Sequence, residues 1–194
     1  YIDCVSVCYG AKKPRSECFP FFKDSIEFME LWGSIMANPK IKKIAHNASF
    51  ENMWEKWCGA GAFPQGWFWD TQIAAHIIHN QKPVGLKFCT YVNFGVMGYD
   101  DAMDAYLVPN AQETAKYGAN AINRIHEAPI AEKLKYCALD SLFTYMLYQV
   151  QEPIIRKPWN RNAFALFMEG FQAFGDIMDN GMNFDEDLAN KQLS

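Results

Sequence analysis

Three observations predict an α/β sandwich. The chain opens on strand alternation in YIDCVSVCYG, short apolar runs then alternate with segments of helical spacing, and one long apolar helix follows near residue 130. With 194 residues, half of them hydrophobic, the chain can bury a core of its own, so the expectation is one domain with a short extra piece.

In the opening strand Ile2, Cys4, Ser6 and Cys8 share one face, and Tyr1, Asp3, Val5, Val7 and Tyr9 share the other. A loop from Gly10 to Glu17 and a short run, CFPFF, lead to KDSIEFMELWGSIMANP. There Ile26, Phe28, Met29, Leu31, Trp32, Ile35 and Met36 keep helical spacing, and Pro39 follows the end. IKKIAH reads as a strand and NASFENMWEKWCG as a helix closed by Gly59. The apolar stripe of that helix is Phe50, Met53, Trp54, Trp57 and Cys58, with Glu51 at its margin and Glu55 further towards solvent. FPQGWFW gives a loop and short strand, and DTQIAAHIIHN a helix with Asp70 as its N-cap.

Residues 85–125 are mostly helical but interrupted at Gly95, Gly98 and Pro109. PIAEKLKYCALDSLFTYMLYQVQEP makes one long helix, with Pro129 in its first turn and Pro153 marking its end. RNAFALFMEGFQAFGDIMDN is a further helix, followed by an extended MNF and a helix capped by Asp185. A strand pattern at full strength from Tyr1 and a stop inside a helix at Ser194 read as a fragment.

Composition narrows the function. A net charge of -4 argues against a protein that holds duplex nucleic acid by coating phosphates. The basic clusters Lys12-Lys13-Pro14-Arg15 and Lys40-Ile41-Lys42-Lys43 read as solvated loop and strand-edge charges. Six scattered cysteines resemble free thiols rather than a disulfide framework, and neither a leader nor a membrane-spanning run is visible. The expectation is a soluble, cytoplasmic protein. His76 and His79 with Cys4 or Cys8 make a poor zinc set, because no close cysteine pair has finger-like spacing. Ser141 and His126 form no nucleophile motif.

Two acids stand out. Asp140 is the only charged residue between Lys135 and Glu152, in a helix apolar nearly all round, with Tyr136 one turn before it and Thr144 one turn after. A buried carboxylate there is either neutralised at a helix contact or bound to a divalent ion. Glu51 either complements its helix dipole or looks into the fold from the C-terminal edge of the preceding strand.

Together these stretches resemble a known family. N-A-S-F-E, Asn47 to Glu51, is similar to the second motif, and Y-C-A-L-D, Tyr136 to Asp140, to the third motif, of 3'-5' proofreading exonucleases with four acidic residues and a catalytic tyrosine (the DEDDy type); W-D-T, Trp69 to Thr71, lies between. The resemblance is to the exonuclease domain of phage and bacterial family A DNA polymerases over residues 1–157. The tail, residues 158–194, resembles the start of the polymerase region. It implies an RNase H-like mixed sheet flanked by helices, its first strand missing, with a mostly helical C-terminal extension.

The resemblance further implies two divalent ions, Mg²⁺ or Mn²⁺, for phosphodiester hydrolysis at the 3' end of single-stranded DNA or a primer-template. Asp140 and Glu51 would ligate metal, Tyr136 would orient the attacking water, and Asn47 would contact the terminal nucleotide or simply cap its helix. Trp54, Phe88, Tyr91 and Tyr99 are candidates for base stacking or for the core. The sequence departs from the pattern twice. Glu51 stands where the family usually has Asp, and no Asp-x-Glu pair is present, since Asp3 is followed by Cys4 and Val5. That pair would lie upstream of Tyr1, and residues 1–194 alone are expected to be inactive. A stand-alone exoribonuclease of the same superfamily and a decayed DNA-binding or bracing domain are the competing expectations.

Overall fold

The computed structural model describes residues 2–61, 63–181 and 185–193. The order is β1 (Cys4–Tyr9), β2 (Arg15–Pro20), α1 (Ile26–Ala37), β3 (Lys43–Ala45), α2 (Ala48–Cys58), β4 (Trp67–Asp70) and α3 (Thr71–Ile78). Then come α4 (Leu86–Phe94), α5 (Asp101–Asp104), α6 (Ala111–Tyr117), two single 3-10 turns, α7 (Ile130–Ile155), α8 (Pro158–Asn180) and α9 (Glu186–Leu193). The α/β class and the helical C-terminal region are those the sequence predicts. Among the described residues no helix is long and apolar enough to cross a membrane.

Among the described residues the strands form two pairs. β1 and β2 run antiparallel with Ser6 opposite Cys18 and Cys8 opposite Ser16. Period-two alternation therefore gathers small serines and cysteines on one face. That face meets α7, where Ser6 Oγ donates to the Cys137 carbonyl at 2.8 Å and the Ser16 and Ser141 hydroxyls bond each other. Lys133, one turn before Cys137, pairs with Asp3 at 2.9 Å. β2 begins three residues before CFPFF, inside the stretch read as a loop. Its Ser16 and Cys18 are too short and polar to announce a buried face.

β3 and β4 run parallel, joined by α2, and pair Ile44 with Trp69 and Ala45 with Asp70. Asp70 is 2 % exposed and does more than cap its own helix. Its carboxylate accepts from Gln72 N (2.8 Å) and Ile73 N (3.2 Å) at the start of α3, and from Asn47 N (3.2 Å) and Ala48 N (2.7 Å) at the start of α2. Four orphan amides at two helix starts are thus satisfied by one acid. Fully buried Thr71 adds a bond from its hydroxyl to the Ala45 carbonyl at 3.2 Å.

The core lies between β3–β4 and the helices α3, α7 and α8, around Trp69, Ala74, Ile155 and Phe164, with Ala45, Ala48 and Phe171 beside it. Helix α7 contributes Leu147, which has no exposed surface and whose burial is worth about 2 kcal/mol. It does not stop at Pro153 but continues to Ile155. Proline deprives the Gln149 carbonyl of its partner, yet the last turn is held from both sides. Gln151 donates to the Thr71 carbonyl at 2.9 Å and accepts from Trp69 Nε1 at 3.3 Å, while Ile155 is buried in the core. At the other end Pro129 is the N-cap rather than a first-turn residue.

The inward face of α2 is the reverse of its apolar stripe. Phe50 and Trp57 are exposed, whereas Ala48, Asn52 and Glu55 are buried. Two indoles explain the inversion. Trp32 Nε1 lies 2.9 Å from both oxygens of Glu55, and Trp67 Nε1 donates to Asn52 Oδ1 at 2.6 Å. Gly175 of α8 packs beside Asn52, where a Cβ would meet its Nδ2 at 3.7 Å, an ordinary contact distance. Glu55 therefore does not face solvent, and burial raises its pKa. Asp185 accepts from Leu188 N at 2.9 Å, as a helix cap does. The stretch MNF and Tyr1 lie outside the described residues.

Replacing Asp70 by Ala removes the caps of α2 and α3 together. We expect a loss of about 1–4 kcal/mol in urea denaturation, the sum of two ordinary cap losses. A loss below about 0.5 kcal/mol would show that the two helix starts do not depend on this carboxylate.

Candidate active site

Helix α7 presents different residues to each neighbour. Lys133, Cys137 and Ser141, spaced by one turn, meet the β1–β2 hairpin. Tyr136, Asp140 and Phe143 face another way, towards the segment after α4. There Tyr99 OH donates to Asp140 Oδ1 at 2.8 Å. The Tyr99 ring stacks on Tyr136 at 6.4 Å and packs on Phe143 at 4.9 Å, and Phe143 stacks on Phe94. Aromatic contacts thus hold the phenol that holds the carboxylate.

Burial pushes the Asp140 carboxyl up to about 6, while hydrogen bonds from Tyr99 and Tyr136 and the charge of Lys87 pull the other way and Asp100 adds to the rise. Lys87 is not a free counter-ion, because it pairs with buried Asp100 and lies 3.8 Å from Asp104. Tyr99 and Tyr136 are themselves pushed up, first by burial and then by the Asp140 charge. Both phenols accordingly remain protonated donors at neutral pH.

Glu51 projects from the first turn of α2, just beyond the C-terminal end of β3. Its carboxyl is pushed up to about 7, first by the protein packed around it and then by Cys137, Glu55, Asp140 and Asp70. The residue is nonetheless exposed, so water reaches it. The direction of the shift is the one that neighbouring acids impose. Asn47 occupies the N-cap position with φ 73°, the left-handed region, and its side chain makes no cap bond. The cap belongs to Asp70, which leaves the Asn47 amide without that role.

The fold therefore joins Asp140, Tyr136 and Tyr99 directly and brings Glu51 within electrostatic reach of Asp140. Two carboxylates within electrostatic reach of each other, with no dedicated Lys or Arg beside them, fit part of the donor set of a hard divalent ion. Among the described residues no third acid or histidine converges with them closely enough to share that ion. Asp3 is spent on Lys133. Lys43, in the second basic cluster, turns its ammonium onto the carbonyls of Asn38, Ile41 and Gln65.

Tyr99 was legible only as an aromatic, and no spacing links it to Asp140, 41 residues on. Of the other stacking candidates, Trp54 and Tyr91 are exposed and Phe88 is half-buried.

A family model described as 3'-5' exonuclease matches residues 13–155. Among solved structures, Trypanosoma brucei RNase D in complex with GMP aligns at 16 % identity with a TM-score of 0.46, covering 77 % of this chain and 48 % of that one. A search of curated proteins finds no match.

The raised Asp140 pKa has a stability consequence. An acid that binds its proton more tightly when folded favours the fold at low pH, and that contribution is lost as pH climbs from the unfolded value near 3.8 through about 6. Without divalent ions, Asp140→Asn should therefore gain stability relative to the parent across that interval and hold the gain above it. Urea midpoints at successive pH values measure this, and a difference independent of pH would contradict the assignment.

Proposed function

The chain belongs to the 3'-5' exonuclease family, and on that premise we propose that it is the proofreading exonuclease part of a DNA polymerase, hydrolysing single-stranded 3' ends. The observation that carries the reading is Tyr136 one turn before Asp140 in α7, with Tyr99 donating to Asp140 and Glu51, at the start of α2, within electrostatic reach of the same carboxylate. Asp140 and Glu51 would hold Mg²⁺ or Mn²⁺, and Asn47, free of capping, would contact the terminal nucleotide. Two such ions, when bound, supply Lewis-acid charge for the attack of water and the departure of the 3'-oxygen.

The chain's own residues do the positioning. Tyr136, kept protonated by burial and by Asp140, donates towards a water and orients it. Tyr99 fixes the Asp140 carboxylate from the side. Glu51 has one methylene more than Asp and spans a longer gap from its helix. Trp54, exposed and one turn after Glu51, offers a ring for a base to stack on, as does Tyr91. Stacking suits a chain of net charge -4, because it needs no basic coat.

Two features support a polymerase in cis. Residues 158–194 resemble the start of a polymerase region, and we take the boundary to fall between α7 and α8 in sequence, although α8 packs Phe164 and Phe171 into the core of the preceding part. Helix α8 also carries an outward apolar row, Leu166, Phe167, Phe174, Ile177 and Met178, of the kind that another body covers. Such a protein would work in the cytoplasm of a bacterium or a phage-infected host.

The test uses the full protein that contains this chain, with 5'-labelled single-stranded DNA and RNA of one sequence and Mg²⁺. We expect stepwise loss of nucleotides from the 3' end of the DNA. Asp140→Asn should cost several kcal/mol of transition-state stabilisation, roughly 100-fold or more in rate. Tyr136→Phe should cost about 10- to 100-fold, as loss of an orienting partner does. Residues 1–194 alone, with two of the carboxylates, should leave the substrate intact. Undiminished cleavage by Asp140→Asn would refute the site. Faster cleavage of RNA would replace the polymerase reading by an exoribonuclease, and binding without cleavage by a decayed domain.

A further inference from the structure

Three thiols meet where the proposed hydrolysis uses none of them. Cys4 of β1, Cys18 of β2 and Cys137 of α7 place their Sγ atoms within 4.8 Å of one another, and all three are free and half-buried. The strand register explains the meeting. Ser6 pairs with Cys18 and Cys4 with Pro20, so Cys4 and Cys18 are diagonal neighbours on the face turned to α7. Cys137 reaches that face from above, its thiol 3.3 Å from Ser6 Oγ and its carbonyl accepting from the same hydroxyl at 2.8 Å. Ser6 is thus in direct contact with the third thiol and opposite the second.

A disulfide between Cys4 and Cys18 suits this arrangement poorly. Diagonal strand neighbours stand about 7–8 Å apart at Cα, beyond the usual reach of a disulfide, and any one bond leaves the third thiol over. A soft ion suits it better. Zn–S bonds of about 2.3 Å in a tetrahedron put the sulfurs roughly 3.8 Å apart, a contraction of about an ångström from the widest spacing allowed here. The two sites also differ in donor class: carboxylate oxygens at Glu51 and Asp140 select hard ions, and thiolates select soft ones.

We propose that Cys4, Cys18 and Cys137 form a binding site for one zinc(II) ion, with the Ser6 hydroxyl or a water in the fourth position. Three thiols and Zn²⁺ give a tris-thiolate of net charge -1 and release three protons, with no electron transferred. The ion would join three elements at once and clamp the β1–β2 hairpin onto the helix that carries Tyr136 and Asp140. The proposal is independent of the exonuclease reading.

Cobalt(II) serves as the coloured probe, added to the reduced chain without other metals. We expect a sulfur-to-cobalt charge-transfer band that saturates at one equivalent and is abolished by Zn²⁺. Cys137→Ser and Cys18→Ser should each weaken binding by about 10-fold or more, while Cys8→Ser, on the same strand face, and Asp140→Asn keep the band. A measurement without variants guards against misfolding: Zn²⁺ should protect Cys4, Cys18 and Cys137 from alkylation but not Cys58. No charge-transfer band, a band that survives Cys137→Ser, or three thiols that react equally with and without Zn²⁺ would each overturn the site.

Discussion

One buried carboxylate holds the β3–β4 side of this fold in register. Asp70 ends β4, and its two oxygens accept amides from the first turns of both α2 and α3. A charge that buried would be costly alone. Here it faces two helix N-termini whose dipoles favour an anion. Because β3 lies parallel to β4, the same contact fixes where α2 departs, and with it Asn47 and Glu51. The left-handed turn at Asn47, φ 73°, is the local cost of that departure, and asparagine is among the residues that bear it best.

Helix α7 is the second constraint, and its three sides have different chemistries. Towards the hairpin it offers a lysine, a thiol and a hydroxyl. Towards Tyr99 it offers the candidate catalytic pair. Towards α3 and α8 it offers Gln151 and Ile155. A helix used on every side cannot show an amphipathic pattern, which is why its sequence reads as apolar all round with a single acid. The anomaly that drew attention to Asp140 is thus a consequence of how many neighbours the helix serves.

That contrast governs how much was legible. The alternation of strands and helices from β3 to α3, the long helix and the Asp70 cap follow from local signals, and all three are present. The readings that failed were tertiary. The stripe of α2 pointed the wrong way because Trp32 and Trp67 supply indole donors to Glu55 and Asn52, and indoles far away in sequence leave no mark on helical spacing. Pro153 did not end α7 because Gln151 and Ile155 hold its last turn. At the candidate site Asp140, Tyr136 and Glu51 could be named from two short motifs. Tyr99 and the thiol triad could not, since each depends on segments that only the fold brings together. Searching for close cysteine pairs misses a set at positions 4, 18 and 137.

The hairpin's polar underside has a further consequence for the order in which the protein comes apart. Its seam with α7 is made of hydroxyls, thiols and one ion pair, whereas β3, β4, α3, α7 and α8 share large apolar side chains. Polar contacts exchange readily with water, so the seam has little to lose by wetting. Opening of this seam alone would let the amides of β1 exchange with solvent at a free energy below that of global unfolding, while Phe19 of β2 stays held by Phe28 of α1.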